Sequence, residues 1–170
     1  MFKTITRTVA AALLVMASPI SAEAVTRMEF VERLEDIGIE LVSNDCKGSF
    51  GMYSPSTNTM CINEDLFAED QQDLFDETIT HEAVHVIQDC MTDDGLKGKT
   101  LTPMITALKK RNVDTTGLVD FVNKNFSEDY SELINGMDNE VRALAEIEAY
   151  SMEDHHHMVY EILGSACLAK

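Results

Sequence analysis

The chain has 170 residues, of which 45% are hydrophobic and 25% charged; these values are typical of one globular domain and argue against a disordered chain. Its net charge of −17 argues against nucleic acid and anionic membrane surfaces as partners, because both are negatively charged. No run of about 18 apolar residues occurs, so no membrane-spanning helix is predicted. The composition leaves the oligomeric state open.

The N-terminus has the layout of a secretory signal peptide. A short basic start precedes an unbroken apolar run over residues 9–16, and small residues follow it. Residues 1–22 are therefore predicted to be removed, with cleavage after Ala22 or Ala24. The expected product is a single exported domain, residues 23–170, that is periplasmic or secreted.

The first half of that domain predicts a helix, a hairpin and a second helix. Apolar residues recur at three- and four-residue steps across residues 25–42, which predicts a helix. Residues 49–53 and 59–63 are short extended stretches, and the turn-forming residues 54–58 between them predict a β-hairpin. Apolar periodicity across residues 70–91 predicts the next helix.

Helices are predicted across most of the second half as well. Thr102 followed by Pro103 is typical of a helix start, so a helix to about Lys110 is expected. The remaining predicted segments are a helix over residues 116–123, a turn of helix opened by Ser127 or Asp129 and ending near Gly136, and a long helix from Asp138 through Ala149 that continues, after a break near Asp154, to Leu168. This order predicts a mainly α fold with a small β-hairpin (α+β).

The cysteines predict disulfides. An even number in an exported chain favours disulfide bonds, and four cysteines allow three pairings. We favour Cys46–Cys61, which would close the hairpin locally, and Cys90–Cys167, which would tie the middle of the chain to its C-terminus. A zinc site made of four cysteines is the weaker interpretation, because no C-x-x-C pair occurs.

The motif that carries chemistry is His81-Glu82-Ala83-Val84-His85. Residues four apart lie on one face of a helix, so the two imidazoles can reach the same metal ion, and neutral imidazole suits Zn²⁺. Glu82 lies one position further round the helix, where it can act as general base toward a metal-activated water without being a ligand.

This motif resembles that of the zincin metallopeptidases. The resemblance implies zinc-dependent hydrolysis of peptide bonds, with one Zn²⁺ per chain held by His81 and His85 and with Glu82 as general base. The H-x-x-G-x-x-H continuation of the metzincins is absent after His85. The gluzincin-like arrangement is the alternative, a helical domain in which a glutamate on a later helix supplies the third ligand.

Several residues compete for the place of third ligand. Glu140, Glu146 and Glu148 lie in the predicted last helix, and Glu148 follows its apolar periodicity, so its carboxylate should point inward and need a cation or a proton. Its segment also resembles the E-x-E-A segment of small bacterial gluzincin-like metallopeptidases, whose second glutamate is the usual ligand. Glu148 is therefore favoured. Glu146 lies beside an arginine, Glu140 begins the helix, and Asp120 and His155 are weaker rivals.

The function expected from these features is that of an exported zinc metallopeptidase acting on a peptide or protein substrate, which could add to the free edge of the hairpin. The alternative is a non-catalytic secreted binding or inhibitory module on a metallopeptidase-like scaffold. The substrate, the cleavage preference and the group that stabilises the oxyanion stay open at this point.

Overall fold

The structure is a computed structural model that describes residues 25–92 and 98–168. The signal peptide predicted for residues 1–22 lies outside the described residues and stays a prediction. Within the described part, no helix is long and apolar enough to cross a membrane.

Seven helices and one three-stranded sheet make up the described part of the chain. The helices are α1 (Arg27–Asp36), α2 (Gln72–Met91), α3 (Met104–Lys110), α4 (Thr116–Asn125), α5 (Ser131–Asn135), α6 (Glu140–Met152) and α7 (His156–Cys167), and the strands are β1 (Glu40–Asn44), β2 (Gly51–Ser54) and β3 (Thr59–Asn63). The prediction of a mainly α fold with a small β element is confirmed.

Helix α2 is the centre of the fold. Most of its 20 residues are buried, because it packs against α6 and α7 and also against strand β2. Ile79, Val84 and Ile87 are at most 1% exposed although they lie on different faces of the helix. A helix that is apolar on several faces is stable only inside a core, which explains why the other elements surround α2.

The predicted helix over residues 25–42 is wrong in its second half. Helix α1 starts at a capping box formed by Thr26 and Glu29 and ends at Asp36. Gly38 then adopts a φ of +86°, a left-handed conformation that glycine enters without a Cβ clash. The chain continues as strand β1, which pairs in parallel with β3. The apolar residues of β1 have helical spacing, so the sequence pattern predicted a helix there.

The predicted hairpin is confirmed, and one edge of β2 has no strand partner among the described residues. The strand order is β1-β3-β2, so β2 pairs only with β3. Asn63 donates its N–H to the carbonyl of Phe50, and hydrogen-bonded and non-hydrogen-bonded pairs alternate in an antiparallel ladder. The backbone groups of Gly51 and Tyr53 therefore point away from β3, toward helix α2.

The C-terminal helices follow the predicted order with shifted caps. Ser127 opens a short 3-10 turn before α5, and Gly136 ends α5. Asn139, rather than the expected Asp138, caps α6 by accepting hydrogen bonds from the N–H groups of Val141 and Arg142. The predicted break near Asp154 separates α6 from α7.

Both favoured disulfides are present: Cys46 is bonded to Cys61 and Cys90 to Cys167. The first bond joins the segment after β1 to β3, and the second joins α2 to the end of α7. Disulfides of this kind are typical of proteins in an oxidising compartment.

We expect the loss of Cys90–Cys167 to destabilise the fold more than the loss of Cys46–Cys61. The two bonds span 77 and 15 residues, and the loop-entropy relation gives about 4.5 and about 3 kcal/mol for closing such loops. Urea denaturation of the two paired Cys→Ala variants measures the difference. Equal losses, or the reverse order, would show that native packing around the sulfurs outweighs the unfolded-state effect.

Candidate metal centre

Helices α2 and α6 bring together two histidines and one glutamate. The Oε2 atom of Glu146 lies 3.3 Å from Nε2 of His81 and 3.3 Å from Nε2 of His85. The three side chains offer ligand atoms that all lie within 4.8 Å of one another. The two imidazole rings meet edge to face with their centroids 5.0 Å apart.

These distances suit a metal ion that binds nitrogen and oxygen. Two ligand atoms held by zinc at about 2.0–2.1 Å in tetrahedral geometry are about 3.3 Å apart, which is the separation between Glu146 and each histidine. Two imidazoles and one carboxylate form a three-ligand set of the kind that leaves the fourth position of zinc open. The group therefore fits a divalent cation, although the donors do not determine which one.

The geometry favours Glu146 over Glu148 as the carboxylate of this group. Arg142, Glu146 and Tyr150 follow one another at four-residue steps, so they lie on one face of α6, and this face points at the histidines of α2. The expected pair between Arg142 and Glu146 exists, at 3.9 Å between Nε and Oε1. It does not keep Glu146 at the surface, because the Glu146 side chain is only 16% exposed.

Glu148 is buried as predicted, but its partners are hydrogen-bond donors. Its carboxylate accepts hydrogen bonds from the backbone N–H groups of Met104 (2.6 Å) and Ile105 (2.8 Å) and from Nε2 of Gln88 (2.9 Å). It thereby caps helix α3, where Thr102 was expected to supply the cap. Burial raises the pKa of Glu148, and these hydrogen bonds oppose the shift because they favour the ionised form.

Gln88 links Glu148 to the candidate metal centre. Its Nε2 donates to Glu148 and to the carbonyl of Ala145, so its Oε1 is the atom that faces Nδ1 of His85, at 2.9 Å. Because Oε1 accepts hydrogen bonds, Nδ1 of His85 donates to it, so Nε2 is the ring nitrogen that faces Glu146. Sequence reasoning missed Gln88, although its place three residues after His85 puts both on one helix face.

A second chain of polar contacts, through Glu153 and Tyr130, positions His81. Nδ1 of His81 lies 3.3 Å from Oε2 of Glu153, whose Oε1 accepts a hydrogen bond of 2.6 Å from the hydroxyl of Tyr130. The ring of Tyr150 packs edge to face on His81 and stacks on Tyr130. No local pattern predicted Glu153, because it follows α6 and comes near His81 only through the packing of α6 on α2.

The carboxylates determine the protonation of the metal-free group. Burial lowers the pKa of His81, but the hydrogen bonds to Glu146 and Glu153 outweigh burial and raise this pKa to about 9. Burial raises the pKa of Glu146, but His81 and His85 hold it well below its usual range. Without metal, His81 is therefore a cation at neutral pH and Glu146 is an anion.

Glu82 lies beside the group and is 7% exposed. Its Oε2 accepts a hydrogen bond of 2.7 Å from the backbone N–H of Tyr53, at the free edge of β2. Strand β2 approaches the helix closely here, because a Cβ atom on Gly51 would lie 2.6 Å from Cγ2 of Thr78 and 2.9 Å from Cγ of Glu82. Glycine at position 51 therefore allows the strand edge to approach Glu82.

Two cavities adjoin at this centre and together form a groove. The larger cavity, of about 880 Å³, is bordered by His81, His85 and Glu146, and the smaller one, of about 430 Å³, by Tyr130 and Glu153. Residues of the centre and of the strand edge line both cavities: Ser49, Gly51, His81, Glu82 and Tyr150.

The remaining sequence candidates lie apart from the group. Glu140 is exposed in the first turn of α6, and Asp120 is exposed on α4. His155 precedes α7, and its ring packs against Phe121 with centroids 4.9 Å apart. None of these three residues belongs to the metal-binding group or lines either cavity in the described part of the chain.

No protein-family model, curated protein or solved structure matches the chain. The structure itself shows a group formed by His81, His85 and Glu146 that could hold a metal ion, in a chain with two disulfides.

Substitution of the two neighbouring glutamates should separate metal binding from stability. We expect Glu146→Gln to weaken zinc binding by more than about 100-fold, because it removes a ligand rather than a supporting group. Glu148→Gln should lower the free energy of unfolding by about 2 kcal/mol, because an amide accepts the three hydrogen bonds less well than a carboxylate. Competition with a zinc-binding dye and urea denaturation measure the two effects.

Glu140→Gln, on the exposed face of the same helix, is the matched control: it should leave zinc binding unchanged and lower the free energy of unfolding by less than about 1 kcal/mol, because it loses only a favourable charge at the helix N-terminus. If Glu148→Gln rather than Glu146→Gln abolished zinc binding, the assignment of the carboxylate would be wrong.

Zinc binding should release about one proton at pH 7. His81 is protonated below its pKa of about 9, and it must lose that proton before Nε2 can bind metal. Zinc affinity should therefore rise about tenfold per pH unit between pH 7 and 8. Calorimetric titrations in buffers of different ionisation enthalpy count the protons released.

Glu153→Gln removes one of the carboxylates that raise this pKa, so its proton release at pH 7 should be smaller. Release of no proton from the unmodified protein would contradict the assigned charge state of His81.

Proposed function

We propose that this protein is an exported zinc-dependent metallopeptidase of the gluzincin-like type, with His81, His85 and Glu146 as the zinc ligands. The observation that carries the proposal is the position of Glu82. The Glu82 carboxylate is not one of the three proposed ligands, but it lies directly beside them. It also lines both cavities of the groove. This is the arrangement that hydrolysis by an activated water requires.

When bound, zinc would supply Lewis-acid chemistry, by polarising a carbonyl oxygen and by making a water more acidic. Glu82 would accept the proton of the attacking water and deliver it to the amine that leaves. The hydrogen bond from Tyr53 to Oε2 holds the carboxylate in place and leaves Oε1 as the atom that takes the proton. The contacts of His85 with Gln88 and of His81 with Glu153 keep both imidazoles oriented during this transfer.

Two further features support binding of an extended peptide. Gly51 on the edge of β2 away from β3 lines both cavities, and a substrate could add to this edge by main-chain hydrogen bonds. Tyr150 lines both cavities, and burial together with the carboxylates of Glu146 and Glu153 raises its pKa. Its hydroxyl therefore stays protonated at neutral pH and is our candidate for stabilising the developing oxyanion.

Glu82→Gln tests the mechanism. The variant keeps all three ligands, so it should bind one zinc per chain, as measured by elemental mass spectrometry. It should lose at least about 1,000-fold in the rate of cleavage of a quenched fluorescent peptide library, because the amide cannot take the proton.

Glu132→Gln, which changes an exposed glutamate on α5, is the control and should leave both readouts unchanged. Full cleavage by Glu82→Gln would reject the mechanism. Zinc binding without any cleavage by the unmodified protein would instead favour the non-catalytic binding module.

A further inference from the structure

The two cavities of the groove differ in charge. Lys99, Lys110 and Arg142 line the larger cavity, whose described lining contains no acidic residue besides Glu82 and Glu146 of the metal centre. The smaller cavity is lined by Glu77 and Glu153 in addition to Glu82, and by no lysine or arginine among the described residues. Among the described residues, lysine and arginine therefore line only the larger of the two cavities, and the smaller cavity has the additional glutamates.

The basic lining of the larger cavity is unusual for this chain. The net charge is −17, with 13 lysines and arginines against 30 acidic residues, so a cavity lined by three cations is not what average composition would give. Lysine and arginine side chains that line a cleft attract ligand groups of the opposite charge. The ligand end that suits this cavity is anionic.

Arg142 is placed to meet such a ligand close to the reacting centre. It lies one helical turn before Glu146, and its side chain is 72% exposed in the groove wall. Its Nε pairs with Oε1 of Glu146 at 3.9 Å, a distance too long for a hydrogen bond, so Glu146 does not accept a hydrogen bond from this N–H group. A planar guanidinium matches a carboxylate through two parallel hydrogen bonds.

We propose that the larger cavity selects peptides carrying a carboxylate on that side of the metal centre, bound by Arg142 with support from Lys110. The inference rests on the proposed function for the cleavage that would follow, but not for the binding itself. A cavity of about 880 Å³ is large enough for a peptide segment of a few residues. The carboxylate comes either from an aspartate or glutamate side chain or from the free C-terminus of the peptide.

Four fluorescein-labelled octapeptides of one neutral sequence test the proposal. They carry Asp or Asn at the central position and a free or an amidated C-terminus, so the two sources of carboxylate are varied separately. Binding is measured by fluorescence anisotropy to zinc-loaded full-length mature protein with Glu82→Gln, in which cleavage is blocked. We expect a carboxylate to tighten binding by about fivefold at low ionic strength, and salt to reduce the difference.

Arg142→Gln should remove this preference, and Lys110→Gln should weaken it. Lys109→Gln is the matched control, because Lys109 is the exposed neighbour on α3 and does not line the cavity. Zinc content and circular dichroism of each variant confirm that the ligand set and the fold are intact.

Equal binding of all four peptides, or no binding of any, would overturn the proposal. So would a preference that survives both Arg142→Gln and Lys110→Gln, since the carboxylate would then bind the zinc itself. Failure of the proposed function gives a different result: a carboxylate preference that Arg142→Gln removes, together with no cleavage by the unmodified protein.

Discussion

The carboxylate of Glu148 is the interaction on which the arrangement around α2 depends. A buried carboxylate is costly unless donors surround it, and here two backbone N–H groups of α3 and the amide of Gln88 meet its oxygens. These hydrogen bonds join α6, α3 and α2 at one point inside the core. They also fix Gln88, which in turn fixes the ring of His85. A residue outside the metal-binding group thus determines the orientation of a group member.

Helix α6 serves two purposes because it presents two faces. Glu148 and Ala149 belong to the buried face that packs in the core, whereas Glu146 and Tyr150 belong to the face that borders the groove. Two residues along a helix are about 200° apart, so Glu146 and Glu148 cannot point in the same direction. The packing of α6 on α2 therefore places one glutamate against the histidines and the other against α3.

Local patterns predicted the parts of the site that one helix supplies, and failed where packing decides. The meeting of His81 and His85 follows from their spacing alone, and both favoured disulfides are present. The choice between Glu146 and Glu148 depends on which neighbour each face meets. Apolar periodicity identified the buried face of α6 correctly and placed Glu148 on it. The sequence predicts a cation or a proton as the partner of this carboxylate, but backbone N–H groups of α3 fill that role. Strand β1 was missed because its pairing with β3 is not a local property.

Opposite charges hold the candidate metal centre together without a metal ion. Glu146 is an anion held among buried groups, and such a charge requires a cation beside it. In the metal-free protein His81 supplies that cation, because Glu146 and Glu153 keep it protonated. A divalent ion would balance the charge of Glu146 instead, and it would displace the proton from Nε2 of His81. Metal binding would then exchange one cation for another. The hydrogen bonds of the two histidines with Gln88 and Glu153 would keep the rings in place, so little rearrangement of the helices would be required.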